Sequence, residues 1–355
     1  MSLSKEKRER IKKYLLVQIE NGKGDVIKKA ADTFSVSSTT IRRYIKQLYE
    51  DKSIKISEKK RSGYELLDNN RFFAYFREEK HLEEDIIYEE DIYPLIKDLP
   101  ENVEKIWRYT FTEIMNNAIE HSNAEYICCS FNRNCINTSI FITDNGIGIF
   151  EKIRQYIFDK DGKNASIDDA MAGLFTGKFT TDASSHSGEG IFFSSRAADR
   201  FYIVSSDRLF THDSYDVNVA KDITTMDNDS AKILIGKEGT MVKITLANET
   251  KRELKEVFDM FSTVDKGFFK TQVPIKNAIP NAFPVSRSQA RRISIRFDKF
   301  EVVELDFTGV DDIGQAFADE IFRVFQNKNP NIKIEVVNAN NVVNDMIQRV
   351  KNTKM

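Results

Sequence analysis

Residues 111–122, FTEIMNNAIEHS, constrain the fold more tightly than any other stretch of the 355-residue chain. Phe111, Ile114, Met115, Ala118 and Ile119 recur at helical spacing, so one face is apolar and Glu113, Asn117, Glu120 and His121 lie on or beside the other. Glu113 and Asn117 are thereby neighbours one turn apart. A carboxylate one turn before a carboxamide can activate a hydroxyl or water while the amide oxygen binds a hard cation such as Mg2+. Many solvated helix faces carry the same pair, so the downstream sequence has to decide. After an apolar strand, TSIFITDNGIGIF puts Asp144, Gly146 and Gly148 at a strand end. Small residues there admit a ligand to the backbone, and an acid accepts an amino proton. HSGEGIFFSSRAADRF then sets Gly188 and Gly190 just before a helix whose first amides suit phosphate, and Gly239-Thr240 opens the strand TMVKITL.

This order, a helix with E-x-x-x-N, then D-x-G-x-G, G-x-G-I and a G-T before a strand, resembles the GHKL ATP-binding domain of gyrase, heat-shock chaperones, histidine kinases and mismatch-repair ATPases. The resemblance implies an α/β sandwich over residues 101–261 that binds ATP and Mg2+. It makes Glu113 the general base and Asn117 the Mg2+ ligand. Asp144 would accept the adenine amino group with Thr240 close by, Gly146 and Gly148 would lie below the ring, and Gly188 and Gly190 would meet the phosphates. The long polar stretch between Gly148 and Gly188 corresponds to the segment that closes over nucleotide in this family. Lys178 and Thr181 occupy its basic and hydroxyl positions, with a solvated loop charge at Lys178 as the equal alternative. His81, in KHLEEDI, departs from the phospho-acceptor motif of the histidine kinases and reads as a surface residue on a polar helix.

The net charge of −2 conceals an asymmetry: residues 1–70 hold 17 Lys and Arg against 10 Asp and Glu, which leaves −9 for the rest. The basic end is where nucleic acid is expected. DVIKKAADTFSVSSTTIRRYIKQLYEDKSIKIS reads as helix, short turn, then a second helix beginning near Thr39 with Ser37 or Ser38 as N-cap. It resembles the winged helices of bacterial transcription regulators. That resemblance implies duplex DNA read by Ser38, Thr39, Thr40, Arg42, Arg43 and Lys46, with Ala30, Val36, Ile41 and Ile45 packed inside. Strands around KSIKISEKKRSGYELL would form the wing, placing Lys59 and Lys60 near phosphates. A trihelical domain that docks protein is the alternative.

Residues 71–100 have helical apolar spacing and many acids, so a connecting helix is expected. Residues 262–284 contain Pro274, Pro280 and Pro284 and read as a linker. Residues 285–355 alternate helix and strand as a small α/β domain. Within them VVELDFTGVDDIGQAFADEIFRVF resembles the STAS-like domain of anti-anti-sigma factors. The chain departs from those factors by carrying Gly314, Gln315 and Ala316 where they present a phosphorylatable serine, leaving Thr308 as the nearby hydroxyl. No run approaches the roughly 20 apolar residues of a membrane span and the N-terminus is strongly charged, which predicts a cytoplasmic protein. Cys128, Cys129 and Cys135 lack paired C-x-x-C spacing and are expected to be small core residues.

The fold expected is therefore α/β and multidomain: a winged helix-turn-helix, an α/β sandwich of the GHKL type, and a small STAS-like α/β domain. The function expected is an ATP-binding regulator that also binds DNA, with ATP and Mg2+ as cofactors and a regulatory protein or a second copy of the chain as further partners. A Ser/Thr protein kinase of the anti-sigma-factor type, acting on a partner protein, is the alternative. A nucleotide-dependent interaction protein without turnover is the third class.

Overall fold

The computed structural model describes residues 3–22, 24–78, 82–161, 164–177, 189–211, 238–279 and 283–352. It divides into two compact units. One comprises Met1–Phe72 with Ser130–Ile140 and Ala247–Glu249; the other comprises Phe73–Cys129, Phe141–Leu246 and Thr250–Met355.

In the first unit, α1 (Lys5–Glu20), α2 (Val26–Phe34) and α3 (Ser38–Glu50) each begin at a side chain that accepts from a free first-turn amide: Ser4, Asp25 and Ser37. Ser35 takes a left-handed conformation with φ 51°, which reverses the chain between α2 and α3. Ile11, Leu15, Ala30, Ile41, Ile45 and Leu48 are buried together, and Val36 packs on them partly buried. Full burial of each larger aliphatic side chain contributes about 1.5–3 kcal/mol. A short antiparallel hairpin follows, β1 (Ile54–Ile56) against β2 (Tyr64–Leu66). Ile136 also packs on this core, and the Asn137 amide donates to the Glu20 carboxylate. The sequence had offered no sign that residues 130–140 belong with the first helices.

A six-stranded sheet, most of whose residues belong to the second unit, has the order β3-β4-β5-β8-β6-β7. Its strands are β3 (Asn69–Phe76), β4 (Tyr126–Arg133), β5 (Asn137–Asp144), β6 (Arg200–Ser205), β7 (Arg208–Thr211) and β8 (Thr240–Ala247). Alternate residues such as Ile127, Cys129, Ile142, Val242 and Ile244 are buried, which is the period-two signature of a sheet covered on one face. β8 comes last of these six in the chain yet lies between β5 and β6, so TMVKITL is an interior strand.

Two stretches differ from the sequence expectation. Residues 71–76, expected within a connecting helix, belong to strand β3, where Phe72, Phe73, Tyr75 and Phe76 supply the aromatic content that favours extended backbone. Helix begins only at α4 (Glu84–Ile87), widens to a π turn over Tyr88–Ile92 and resumes as α5 (Tyr93–Ile96). Pro94, near the start of α5, has no amide proton to donate to the preceding turn. Between Gly148 and Gly188, α7 (Ile149–Asp161) and α8 (Ile167–Thr176) occupy part of what reads as a polar loop. A reciprocal capping box joins Ser166 and Asp169 at the start of α8.

Glu113 stands on α6 (Glu101–Asn116), which runs on through a π turn over Asn117–His121. Further on come α9 (Gly190–Ala197) and α10 (Leu254–Phe261). A two-residue ladder pairs β9 (Ser262–Thr263) with β10 (Gly267–Phe268). A separate three-stranded parallel sheet has the order β11 (Lys270–Pro274), β12 (Val302–Asp306) and β13 (Lys333–Val337). Helices α11 (Ile275–Ala278), α12 (Arg287–Ile293), α13 (Gln315–Asp319) with its π continuation over Glu320–Phe325, α14 (Gln326–Lys328) and α15 (Asn341–Lys351) connect and flank these strands. Part of the expected linker, Lys270–Pro274, is thus a sheet strand, held by parallel pairing with Val302–Asp306. No described helix is long and apolar enough to cross a membrane. Cys129 is buried and Cys128 half-buried, whereas Cys135 is exposed and not a core residue.

Candidate functional site

A cavity of about 380 Å3 in the second unit is lined by Glu113, Asn117, Asp144, Gly148, Gly190 and Thr240 among others. That volume lies in the range of small-ligand pockets. The floor is built by adjacent strands, because β5 ends at Asp144 and β8 starts at Thr240. Asp144 is 7% exposed. Its Oδ1 accepts from the Gly146 amide at 2.9 Å, and its carboxylate also accepts from the amide and hydroxyl of Thr240. Burial pushes its pKa up from 3.8 to about 6, and these hydrogen bonds only partly counteract that rise. The Thr240 hydroxyl in turn accepts from the Ile149 amide at 3.0 Å, tying the start of α7 to the floor.

Gly239 has φ +110°, and a Cβ there would stand 2.1 Å from the Asp144 carbonyl oxygen. Only glycine allows this approach of β8 to β5, and Thr240 reaches Asp144 through it. Gly146 is not among the lining residues: its amide donates to Asp144 Oδ1, and a Cβ there would stand 2.0 Å from the Ser122 carbonyl oxygen, whereas Gly148 lines the cavity and its carbonyl accepts from the Lys152 amide as α7 begins.

The wall opposite is α6. Glu113 meets the start of α9 so closely that a Cβ on Gly190 would lie 2.0 Å from Glu113 Oε2. Gly190 therefore lets α9 approach α6 at the carboxylate, a role that its sequence spacing did not disclose. Asn117 opens the π turn, and its Nδ2 donates to the Glu113 carbonyl at 2.7 Å. This fixes the carboxamide and turns Oδ1 into the atom that could hold a cation. π turns of this kind recur at functional sites because they re-aim side chains within a rigid helix.

Polar lining residues to which the sequence reading gave no role include Glu84, Thr112, Asn116, Ser122, His121 and Lys152. His121 carries a weak signal, four residues beyond Asn117 on the same polar stripe; Lys152 carries none, since its place follows from how α7 packs. The Lys152 ammonium donates to the His121 carbonyl oxygen. Burial, and then the nearby Arg77, hold its pKa below the ordinary lysine value. Lys178, Thr181 and Gly188 lie outside the described residues.

In the first unit, Ser38, Thr39, Arg42, Arg43 and Lys46 are exposed on α3. Thr40 is half-buried and engaged in the cap, its amide donating to Ser37 Oγ at 3.2 Å. Arg43 lies over the Tyr44 ring at 5.3 Å, and Lys46 pairs with Glu50 at 3.6 Å. Lys59 and Lys60 are exposed between β1 and β2.

Residues 289–344 match the model of a family described as a STAS-like domain of unknown function (DUF4325). The match runs from within α12 through β12 and β13 into α15. In this segment the Thr308 hydroxyl donates to Asp306 Oδ1 at 2.7 Å, and Asn338 donates to the same oxygen at 3.0 Å. A search of curated proteins gives no significant match.

Proposed function

We propose that the chain is an ATP-binding transcriptional regulator, in which a GHKL-type module takes ATP and Mg2+ in the cavity and a winged helix within residues 1–70 binds duplex DNA. The state of the nucleotide would control docking of the STAS-like segment or of a partner protein. The observation that carries this reading is the convergence of Glu113, Asn117, Asp144, Gly190 and Thr240, from four separate stretches of sequence, on one cavity. A buried carboxylate, ionised above about pH 6, is a strong acceptor for the adenine amino group. Asn117 Oδ1 is the group that would hold Mg2+, and Glu113 would take a proton from water or a hydroxyl. The exposed cations on α3 and between β1 and β2 support the DNA reading, as charge that phosphates would neutralise.

Calorimetry of the full chain at pH 7.5 with ATP, GTP and adenosine, with and without Mg2+, tests the assignment. ATP binding that exceeds GTP binding is expected, and absence of ATP binding would overturn the reading. Labelled ATP then separates the classes: free phosphate marks an ATPase, label on a partner protein marks the Ser/Thr kinase, and intact bound ATP marks a nucleotide-dependent docking protein.

A further inference from the structure

The charge around the cavity is unbalanced for a polyphosphate ligand. Glu84, Glu113 and Asp144 bring carboxylates to its lining, and among the described lining residues Lys152 is the one Lys or Arg. Lys152 stands on α7, one turn after Gly148, and reaches back to the end of the π turn, where its ammonium donates to the carbonyl of His121. That contact uses one of three N–H groups. Among the described residues no carboxylate lies within ion-pair distance of it, and the charged group that does act on it, Arg77, has the same sign. A partly buried ammonium beside another cation costs free energy that an anion in the cavity would relieve. Its position also matches. His121 follows Asn117 by four residues on the same helix, roughly one turn or about 5 Å along the axis, so the ammonium is within reach of phosphates around a cation held at Asn117 Oδ1.

We propose that Lys152 binds the phosphate chain of the nucleotide, as a charged donor beside the cation site of Asn117. This rests on the adenine-nucleotide reading of the cavity. Asp144 and Thr240 then hold the base, and Lys152 separates nucleotides from nucleosides.

The test uses the full chain, calorimetry with a chelator present, and ADP and adenosine as probes. In Lys152→Gln a donor remains for the His121 carbonyl while the charge is gone. ADP affinity should fall tenfold or more, the scale of a hydrogen bond to a charged group, with adenosine affinity within about twofold of the parent. Lys152→Arg should recover most of the ADP affinity. If Gln lowers the melting midpoint, Lys152→Met, which keeps the stem, repeats the comparison. Equal losses for ADP and adenosine would reduce Lys152 to a prop between α7 and His121 and overturn the proposal, as would unchanged ADP affinity. A parent protein that binds neither probe would overturn the cavity reading itself and this assignment with it.

Discussion

Asp144→Asn should make the unliganded protein more stable while weakening adenine binding. The carboxyl has an ordinary pKa of 3.8 and stands at about 6 in the folded chain, chiefly through burial. A group whose folded pKa is raised takes up protons on folding, so its penalty is absent below about 3.8, grows as pH rises through the interval, and is complete above about 6. A rise of this size corresponds to about 3 kcal/mol at neutral pH. Asparagine keeps an oxygen for the Gly146 and Thr240 donors but brings an NH2 that needs acceptors, so roughly 1 to 3 kcal/mol of gain is expected. Denaturant midpoints of parent and variant between pH 4 and 8, at constant m, give the difference directly. The two curves should meet near pH 4 and diverge up to about pH 6. Adenosine binding should meanwhile fall about tenfold or more at pH 7.5, because a neutral amide is the weaker acceptor. An Asp144→Asn protein less stable than the parent at pH 7.5, or one whose stability follows a parallel pH profile, would refute the claim that the carboxylate is held there at a cost for binding.

Glu113→Ala should keep ATP and Mg2+ binding but lose turnover by about 10² to 10⁴-fold, whereas Asn117→Ala should make nucleotide affinity insensitive to Mg2+; parental behaviour in both would make α6 an ordinary amphipathic helix. Arg42→Ala and Arg43→Ala in the full chain should each lower the slope of log affinity for duplex DNA against log salt by about one, and an unchanged slope would favour the protein-docking alternative. The half-buried Asp169–Arg292 pair, at 2.6 Å, should show a coupling of about 1 kcal/mol in a double-mutant cycle of denaturant midpoints. Burial alone would raise the Asp169 pKa, but Ser166 and Arg292 together hold it below its ordinary value, so the coupling should persist above the carboxylate range and disappear as pH falls through it.

The parts of this structure that could be read from sequence are those determined locally. Ser37 and Asp25 announce helix starts because a cap is made within three residues, and the apolar spacing of α3 fixes which side of it is buried. The stripe Glu113, Asn117 was legible for the same reason. The run FFAYF was not: aromatic residues at this spacing fit a helix face and a strand equally, and pairing in the sheet decides for β3. Nor does any local signal state that β8 enters between β5 and β6, although that insertion brings Thr240 to Asp144. The glycines were conspicuous, yet their reasons are long-range. Gly190 answers to Glu113 and Gly239 to the Asp144 carbonyl.

The segment 149–176 shows how polarity misleads when its partners are distant in sequence. Its acids read as the mark of a solvated loop, but Asp168 pairs with Arg208 at 3.2 Å and Asp169 with Arg292, while Ala170, Met171, Leu174 and Phe175 are buried. The last turn of α8 is held from behind by the parallel sheet, since the fully buried Thr271 donates its hydroxyl to the Thr176 carbonyl at 2.6 Å. α9 is held in the same way, through Arg196 donating to the Gln272 carbonyl at 2.7 Å. Leu174 and Gly177 on one side and Gly190, Ile191 and Phe192 on the other line the cavity. Strand β11, which Pro274, its polar residues and the prolines that follow it in sequence disguised as linker, is therefore the backing of two cavity walls. A ligand that shifts α8 or α9 away from the parallel sheet must strain or break the hydrogen bonds that Thr271 and Arg196 make across it.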